Sequence, residues 1–260
     1  MLSKELFKRI NFLSSSLAQA RKKSSLINPL PPYISRNLDI VKKIRNFAEA
    51  KLEWHPIGFK IGGTNPKVMK ILKGKQPFYS YLFKEQTFNN NKILKLTPNT
   101  LGIELELAFK ISRNIFKKKI KNKKELKHHI QGVAPAIELV GLRQKIKRIN
   151  NVGQAMVDFG LNISLVKSKI HKPKNISKLL FKTKLTNLKN KKFYFGHTKN
   201  VMENPINALF WLIKELQKKD ISFNKDFWVI TGSTTSIVPV KKGDKFLGEI
   251  FKIGKVSVGF

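Results

Sequence analysis

Three glutamates stand in apolar, strand-like surroundings: Glu104 and Glu106 in Ile103-Glu104-Leu105-Glu106-Leu107, and Glu138 in Ala136-Ile137-Glu138-Leu139-Val140. On a strand, side chains two residues apart point to the same side, so Glu104 and Glu106 project together while Ile103, Leu105 and Leu107 face the other way. Two carboxylates held that close repel each other and require a cation, a proton or a reaction that uses them. With Glu138 the set offers three oxygen donors, which suits a hard divalent ion such as Mg²⁺ or Mn²⁺ with positions left open for a substrate. The same alternation is also what a half-buried strand with a solvated, acidic face shows. A second candidate is Lys60, in Gly58-Phe59-Lys60-Ile61-Gly62-Gly63-Thr64. As a cation it can bind a carboxylate, and desolvated it can donate a proton; the competing reading is one exposed lysine among many. His55 reads as an interfacial histidine, and His128 and His129 as surface residues.

These residues need elements to hold them. The pattern predicts helices over 3–23 and 35–52, parted by Pro29, Pro31 and Pro32. A short strand then runs into the glycine turn at Gly62-Gly63, followed by one or two helical turns from Pro66 to Lys73 and a mostly irregular 76–92. Strands over 101–112 and 133–141 carry the carboxylates, with a basic surface segment, Lys117 to Ile130, between them. The stretch 162–192 reads as a strand and then an exposed lysine-rich segment. Asn204-Pro205 signals a helix start, with Asn as N-cap and Pro in the first turn. Ile206, Leu209, Phe210, Ile213 and Leu216 form its stripe, and Lys218 and Lys219 complement its dipole. Strands are expected at Phe227 to Ile230, Val238 to Val240, Phe246 to Ile250 and Val256 to Phe260. Helices lead and strands dominate the end, which is an α+β order. The expected division is a helical region at 1–55 and a catalytic domain at 56–260 with one long helix at 205–219.

Composition narrows the chemistry. With no cysteine, disulfides, thiolate metal sites and cysteine catalysis are excluded, which fits a cytoplasmic setting. No apolar run approaches a membrane span. The start of the chain, basic and serine-bearing, has the flavour of a transit peptide but reads better as an amphipathic helix with Leu6, Ile10, Leu13 and Leu17 at helical spacing. Lys and Arg number 52 against 16 Asp and Glu, a net charge of +36 that first suggests nucleic acid or an anionic membrane surface. Yet the excess is nearly all Lys, spread along the chain, where Arg would suit bidentate phosphate contacts. The expectation is a diffusely basic surface without a nucleic-acid or membrane partner. The competing class, a non-catalytic basic nucleic-acid-binding protein, requires the three glutamates to lie apart and the lysines to gather on one face.

Five segments taken together resemble the fumarylacetoacetate hydrolase superfamily, and within it the 2-keto-4-pentenoate hydratase / 4-oxalocrotonate decarboxylase family. They are Gly58 to Val68, Ile103 to Ala108, Pro135 to Gly141, Asn204 to Leu212, and Thr231-Gly232-Ser233-Thr234-Thr235-Ser236 continuing to Asp244. They occur in the family's order at similar spacings from about residue 50 onward. The resemblance implies an N-terminal helical part followed by a mixed β-roll core. It implies that Glu104, Glu106 and Glu138 are metal ligands, that Lys60 lies near the substrate, and that Thr231, Gly232 and Ser233 line the site. The implied activity is that of a lyase acting on a small 2-oxo or 2-hydroxydienoic acid, first a hydratase, with decarboxylation or C–C bond hydrolysis as the other branches. Homo-oligomers are frequent in the family.

The sequence departs from the family's pattern at three places. Phe78-Tyr79 stands where an acidic residue commonly follows the proline matching Pro77, Asn162 is the nearest polar residue where a serine is usual, and an arginine often found before the first carboxylate strand is absent around Leu101-Gly102. Phe78, Tyr79 and Asn162 are therefore expected to contact substrate and to decide which reaction follows.

Overall fold

The computed structural model describes residues 4–173, 175, 176 and 179–260. Three helices open the chain, α1 (Lys4–Lys23), α2 (Pro32–Arg36) and α3 (Leu38–Leu52). Then follow β1 (Pro56–Gly62), α4 (Pro66–Ile71), β2 (Phe78–Phe83), β3 (Thr87–Asn89), the two-residue β4 (Lys92–Ile93), β5 (Thr100–Ile111), α5 (Lys123–Lys127) and β6 (Ile130–Gly141). The remainder is α6 (Val152–Val157), β7 (Asn162–Lys167), β8 (Lys182–Asn187), β9 (Phe193–His197), α7 (Pro205–Lys218), β10 (Phe227–Ser233), β11 (Lys245–Ile250) and β12 (Gly254–Gly259).

The strands form two mixed sheets, of order β2-β1-β10-β5-β6-β7-β3 and β4-β12-β11-β8-β9. In the larger sheet β1 runs parallel to β10, and β10, β5, β6 and β7 are successively antiparallel. One face of it carries Phe59, Ile61, Ile103, Leu105, Leu107, Ile137 and Leu139 into the main core, shared with α7 and the smaller sheet. β11 crosses so close that a Cβ on Gly248 would sit 2.6 Å from Leu105 Cδ1. The opposite face is shallow where Ala108, Ala134 and Ala136 lie, and α1, α3 and α6 pack beside it in a second core with Phe78 and Phe159. Within this helical cover over an α+β, curled two-sheet core, a cleft lies between α6, the start of α4 and the polar face of β5.

Several local expectations meet the structure differently. The region 76–92 contains β2, β3 and the start of β4 in place of a mostly irregular stretch: in β2, Phe78 packs into the second core and Tyr79 into the main core. The helix expected at 35–52 is two, because the Asn37 side chain accepts from Asp39 N and Ile40 N and so caps α3 within that span. β8 and β9 were concealed in lysine-rich sequence; Thr183, Leu185 and Asn187 of β8 point inward and its lysines outward. Val238 to Val240 makes only an isolated bridge to Ile103, not a strand. In α7 the stripe includes Ala208 and Leu212, while Phe210 sits at its edge. Within 162–192, residues 174, 177 and 178 lie outside the described residues.

Candidate active site

The sheet register brings the glutamates together. Glu104 and Glu138 are direct cross-strand partners on β5 and β6, and Glu106 faces Ala136, whose small side chain leaves room above it. Like charges directly opposite are destabilising in a sheet without a compensating partner. Glu106 and Glu138 are fully buried and Glu104 partly so. Each offers a carboxylate oxygen, and the three oxygens lie within 4.8 Å of one another.

Their hydrogen bonding is incomplete. Gly232 N donates to Glu106 Oε2 at 2.7 Å, and Asn162 Nδ2 donates to Glu138 Oε1 at 2.8 Å. Glu106 Oε1 is buried and accepts no hydrogen bond, and Glu138 Oε2 has only its ion pair with Lys60. Lys60 Nζ stands 3.1 Å from Glu138 Oε2 and donates to Gly160 O at 2.7 Å. Burial and the Glu138 charge raise Glu104 to about 7, against the pull of Lys60 and Ser233. Burial, then Glu138, likewise pushes Glu106 well above the ordinary carboxylate range. For Lys60, burial would lower the value, but Glu138, Glu106 and Glu104 together outweigh it and hold the ammonium charged. Such a set of hard oxygen donors, with Glu106 Oε1 lacking a partner, fits a divalent cation.

A cavity of about 490 Å³ opens over this centre. Lys60, Glu104, Glu106, Gly160, Gly232 and Ser233 form its polar end. Val68, Leu72, Phe78, Leu101, Val140, Leu161 and Ile237 give it apolar walls, and the exposed Lys147 and Arg148 stand at its mouth. Gly232 is obligatory on geometric grounds: its φ is +114° and a Cβ there would fall 1.9 Å from Thr64 Oγ1.

Of the residues expected at the site, the structure gathers Lys60, Glu104, Glu106, Glu138, Phe78, Gly232 and Ser233. It places three elsewhere. Tyr79, on the opposite face of β2 from Phe78, packs against Phe59 and Trp211, and its hydroxyl accepts from Lys219 Nζ at 3.2 Å. The reason is the two-residue period of a strand: the pair cannot both face the cavity. Thr231 is buried, its Oγ1 donating to Leu107 O at 3.3 Å. Asn162 lies behind Glu138, bonded to it rather than open to the cavity. Sequence reasoning missed Ser80, the strand partner of Lys60, whose buried Oγ has no hydrogen-bond partner. It also missed the turn Asp158 to Asn162 as a structural unit, and Arg21 and Arg143 behind it. An aspartate within the apolar Ala155 to Leu161 stretch was the available signal, since a buried carboxylate needs a partner.

That turn is held tightly. Arg143 N donates to Asp158 Oδ2 at 2.8 Å, its Nη1 to Asn162 O and its Nη2 to Asp158 O, both at 2.7 Å, and its Nε pairs with Asp158 Oδ1. Phe159, Gly160 and Leu161 all have left-handed φ values, of 51°, 62° and 70°. This turn aims the Gly160 carbonyl at Lys60 and turns the Asn162 amide to Glu138.

No family model matches the chain. A 2-keto-4-pentenoate hydratase of Paraburkholderia xenovorans (strain LB400) is 23% identical over 252 residues, spanning 95% of this chain and 93% of the relative. The solved structure of 4-oxalocrotonate decarboxylase from Pseudomonas putida G7, complexed with magnesium and adipate, matches with a TM-score of 0.86 at 15% identity, over 100% of this chain and 99% of that one. Fumarylpyruvate hydrolase from Pseudomonas aeruginosa, in complex with Mn²⁺ and pyruvate, matches with a TM-score of 0.57 at 12% identity, over 79% of this chain and 89% of that one.

Proposed function

We propose that this chain, which resembles the 2-keto-4-pentenoate hydratase / 4-oxalocrotonate decarboxylase family of the fumarylacetoacetate hydrolase superfamily, is a metal-dependent lyase that hydrates a small 2-hydroxy-2,4-dienoic acid. The observation that carries the reading is the convergence of Glu104, Glu106 and Glu138, with the buried Glu106 Oε1 unpartnered, at the polar end of a cavity with apolar walls. A non-catalytic, nucleic-acid-binding role required these glutamates to lie apart.

Glu104, Glu106 and Glu138 would hold Mg²⁺ or Mn²⁺. When bound, such an ion supplies a Lewis acid for the negative charge that develops on a 2-oxo acid as its dienol tautomerises. Lys60 spends one N–H on Gly160 O and one on Glu138, and its third remains for the substrate carboxylate. Held charged, Lys60 binds an anion and can release a proton toward the substrate; it is not a free base. The apolar walls seat the hydrocarbon part of the diene and limit water to the polar end. Ser233 brings a hydroxyl to that polar end.

The experiment is the turnover of 2-hydroxypenta-2,4-dienoate, followed by loss of its ultraviolet absorbance, with and without a chelator. Equal rates in both, or undiminished turnover by Glu106→Ala, overturn the reading. Lys147 and Arg148 at the mouth favour a second reading, decarboxylation of a substrate with a distal carboxylate. Release of CO₂ from a 2-oxo-enedioic acid, faster than hydration of the monoacid, would select it.

A further inference from the structure

We propose that Arg21, on the N-terminal helix α1, is a positioning residue for the carboxylate centre, acting through Asn162 on Glu138; this rests on the metal-site reading above. Arg21 Nη2 donates to Asn162 Oδ1 at 2.8 Å, and Asn162 Nδ2 donates to Glu138 Oε1 at 2.8 Å. A guanidinium can only donate, so it binds the amide oxygen and commits the amide nitrogen to Glu138. Arg143 fixes the backbone of residue 162, while Arg21 fixes which way its side chain faces.

The cost of keeping Arg21 there argues against a merely structural role. The side chain is buried, with its guanidinium carbon 4.6 Å from the Phe159 ring centroid, 5.2 Å from Phe83 and 5.6 Å from Trp54. Burial, and then the charge of Arg143, lower its pKa to about 9. Its Nε and Nη1 have no hydrogen-bond partner. An apolar side chain of similar length would fill this aromatic box without leaving donors unsatisfied. Among the described residues, the hydrogen bond that the guanidinium does make is the one that leads to Glu138. Partners of this kind behind a metal ligand fix its orientation, and their loss typically weakens metal binding about 10- to 100-fold. The N-terminal helical region is then part of the site rather than only its cover.

The test is Mn²⁺ affinity, read by electron paramagnetic resonance on the full chain, for wild type, Arg21→Met, Arg21→Lys, Asn162→Ala and the Arg21→Met/Asn162→Ala double variant. Arg21→Met keeps the stem against the rings and removes the donor. The expected result is about tenfold weaker Mn²⁺ binding in Arg21→Met and in Asn162→Ala, partial recovery in Arg21→Lys, and a double variant no weaker than Asn162→Ala alone. Circular dichroism and thermal melting in chelator report folding separately. A folded Arg21→Met protein with wild-type affinity, or additive losses in the double variant, overturns the proposal. Should Arg21→Met fail to fold, unchanged affinity in both Arg21→Lys and Asn162→Ala overturns it. A wild type that binds no Mn²⁺ sinks the metal-site reading together with this inference, whereas wild-type binding with unmoved variants sinks the inference alone.

Discussion

Replacing Glu106 by Gln should stabilise the metal-free protein at high pH and cripple it for metal, two effects of opposite sign from one atom exchange. The side chain is isosteric, and the Gln oxygen can still accept from Gly232 N, as Glu106 Oε2 does at 2.7 Å. The Gln NH₂ then occupies the place of Oε1, which has no hydrogen-bond partner, and becomes a donor among carboxylates. At 4.8 Å and an effective dielectric of about 20, one pair of unit charges interacts by about 3 kcal/mol. Glu106 has two like-charged neighbours, Glu138 and Glu104, and one opposite, Lys60, so the net repulsion is about that of a single pair. Near pH 5 the raised pKa keeps Glu106 protonated, and Gln mimics that state. Urea unfolding in chelator should therefore give equal stabilities near pH 5 and, near pH 9, a Gln variant more stable by about 3 kcal/mol. With Mn²⁺ the order reverses, and affinity falls by at least about a hundredfold. A Gln variant less stable than wild type at pH 9 without metal, or one that binds Mn²⁺ normally, would refute the account of these carboxylates as strained ligands.

The remaining expectations concern the groups around this centre. Lys60→Met should lower kcat/KM by about 100-fold or more, through loss of the cation facing the substrate carboxylate, measurable in steady-state kinetics. Phe78→Ala should change KM for the dienoic acid, whereas Tyr79→Phe should leave kinetics untouched and cost about 1 kcal/mol in urea unfolding, since its hydroxyl bonds Lys219 on the other face. Between the ordinary 4.5 and the raised value of about 7 for Glu104, the folded state holds a proton that the unfolded chain has released. Metal-free protein should accordingly lose stability as pH rises through that window, and saturating Mg²⁺ should abolish the slope in pH-dependent melting. A Lys147→Ala/Arg148→Ala variant should raise KM several-fold for a dicarboxylate and less for a monocarboxylate, with the difference shrinking at high salt.

The cost of assembling the site is visible in the fold. Three carboxylates meet on adjacent strands only because Ala108, Ala134 and Ala136 keep that face shallow, while the reverse face packs bulky side chains against α7 and the smaller sheet. The hydrophobic face anchors β5 and β6 strongly enough to tolerate repulsion on the other side. The same division explains why the notably basic surface does not disturb the centre: most of the lysines are exposed, and Lys60 is held in by its ion pair with Glu138.

Local features were legible in the sequence. Alternation in Ile103 to Leu107 required Glu104 and Glu106 to share a face, the Asn204-Pro205 cap started α7 where it begins, and the order of five segments pointed to the fold. All of these depend on residues near one another in the chain, where periodicity and capping act. Contacts between distant segments were not legible there and follow from the folded arrangement. Glu138 faces Glu104 through the register of β5 and β6, and Lys60 reaches Glu138 across 78 positions of numbering, from a strand that is not even its neighbour in the sheet. Phe78 and Tyr79 read as a pair in sequence, yet the strand period sends one to the cavity and the other to the far core. Asn162 read as a substrate contact, yet lies between Arg21 and Glu138 because a turn of left-handed residues, clamped by Arg143, aims it there. Such placements follow from how curved sheets close and helices cover them, and no local pattern carries that information.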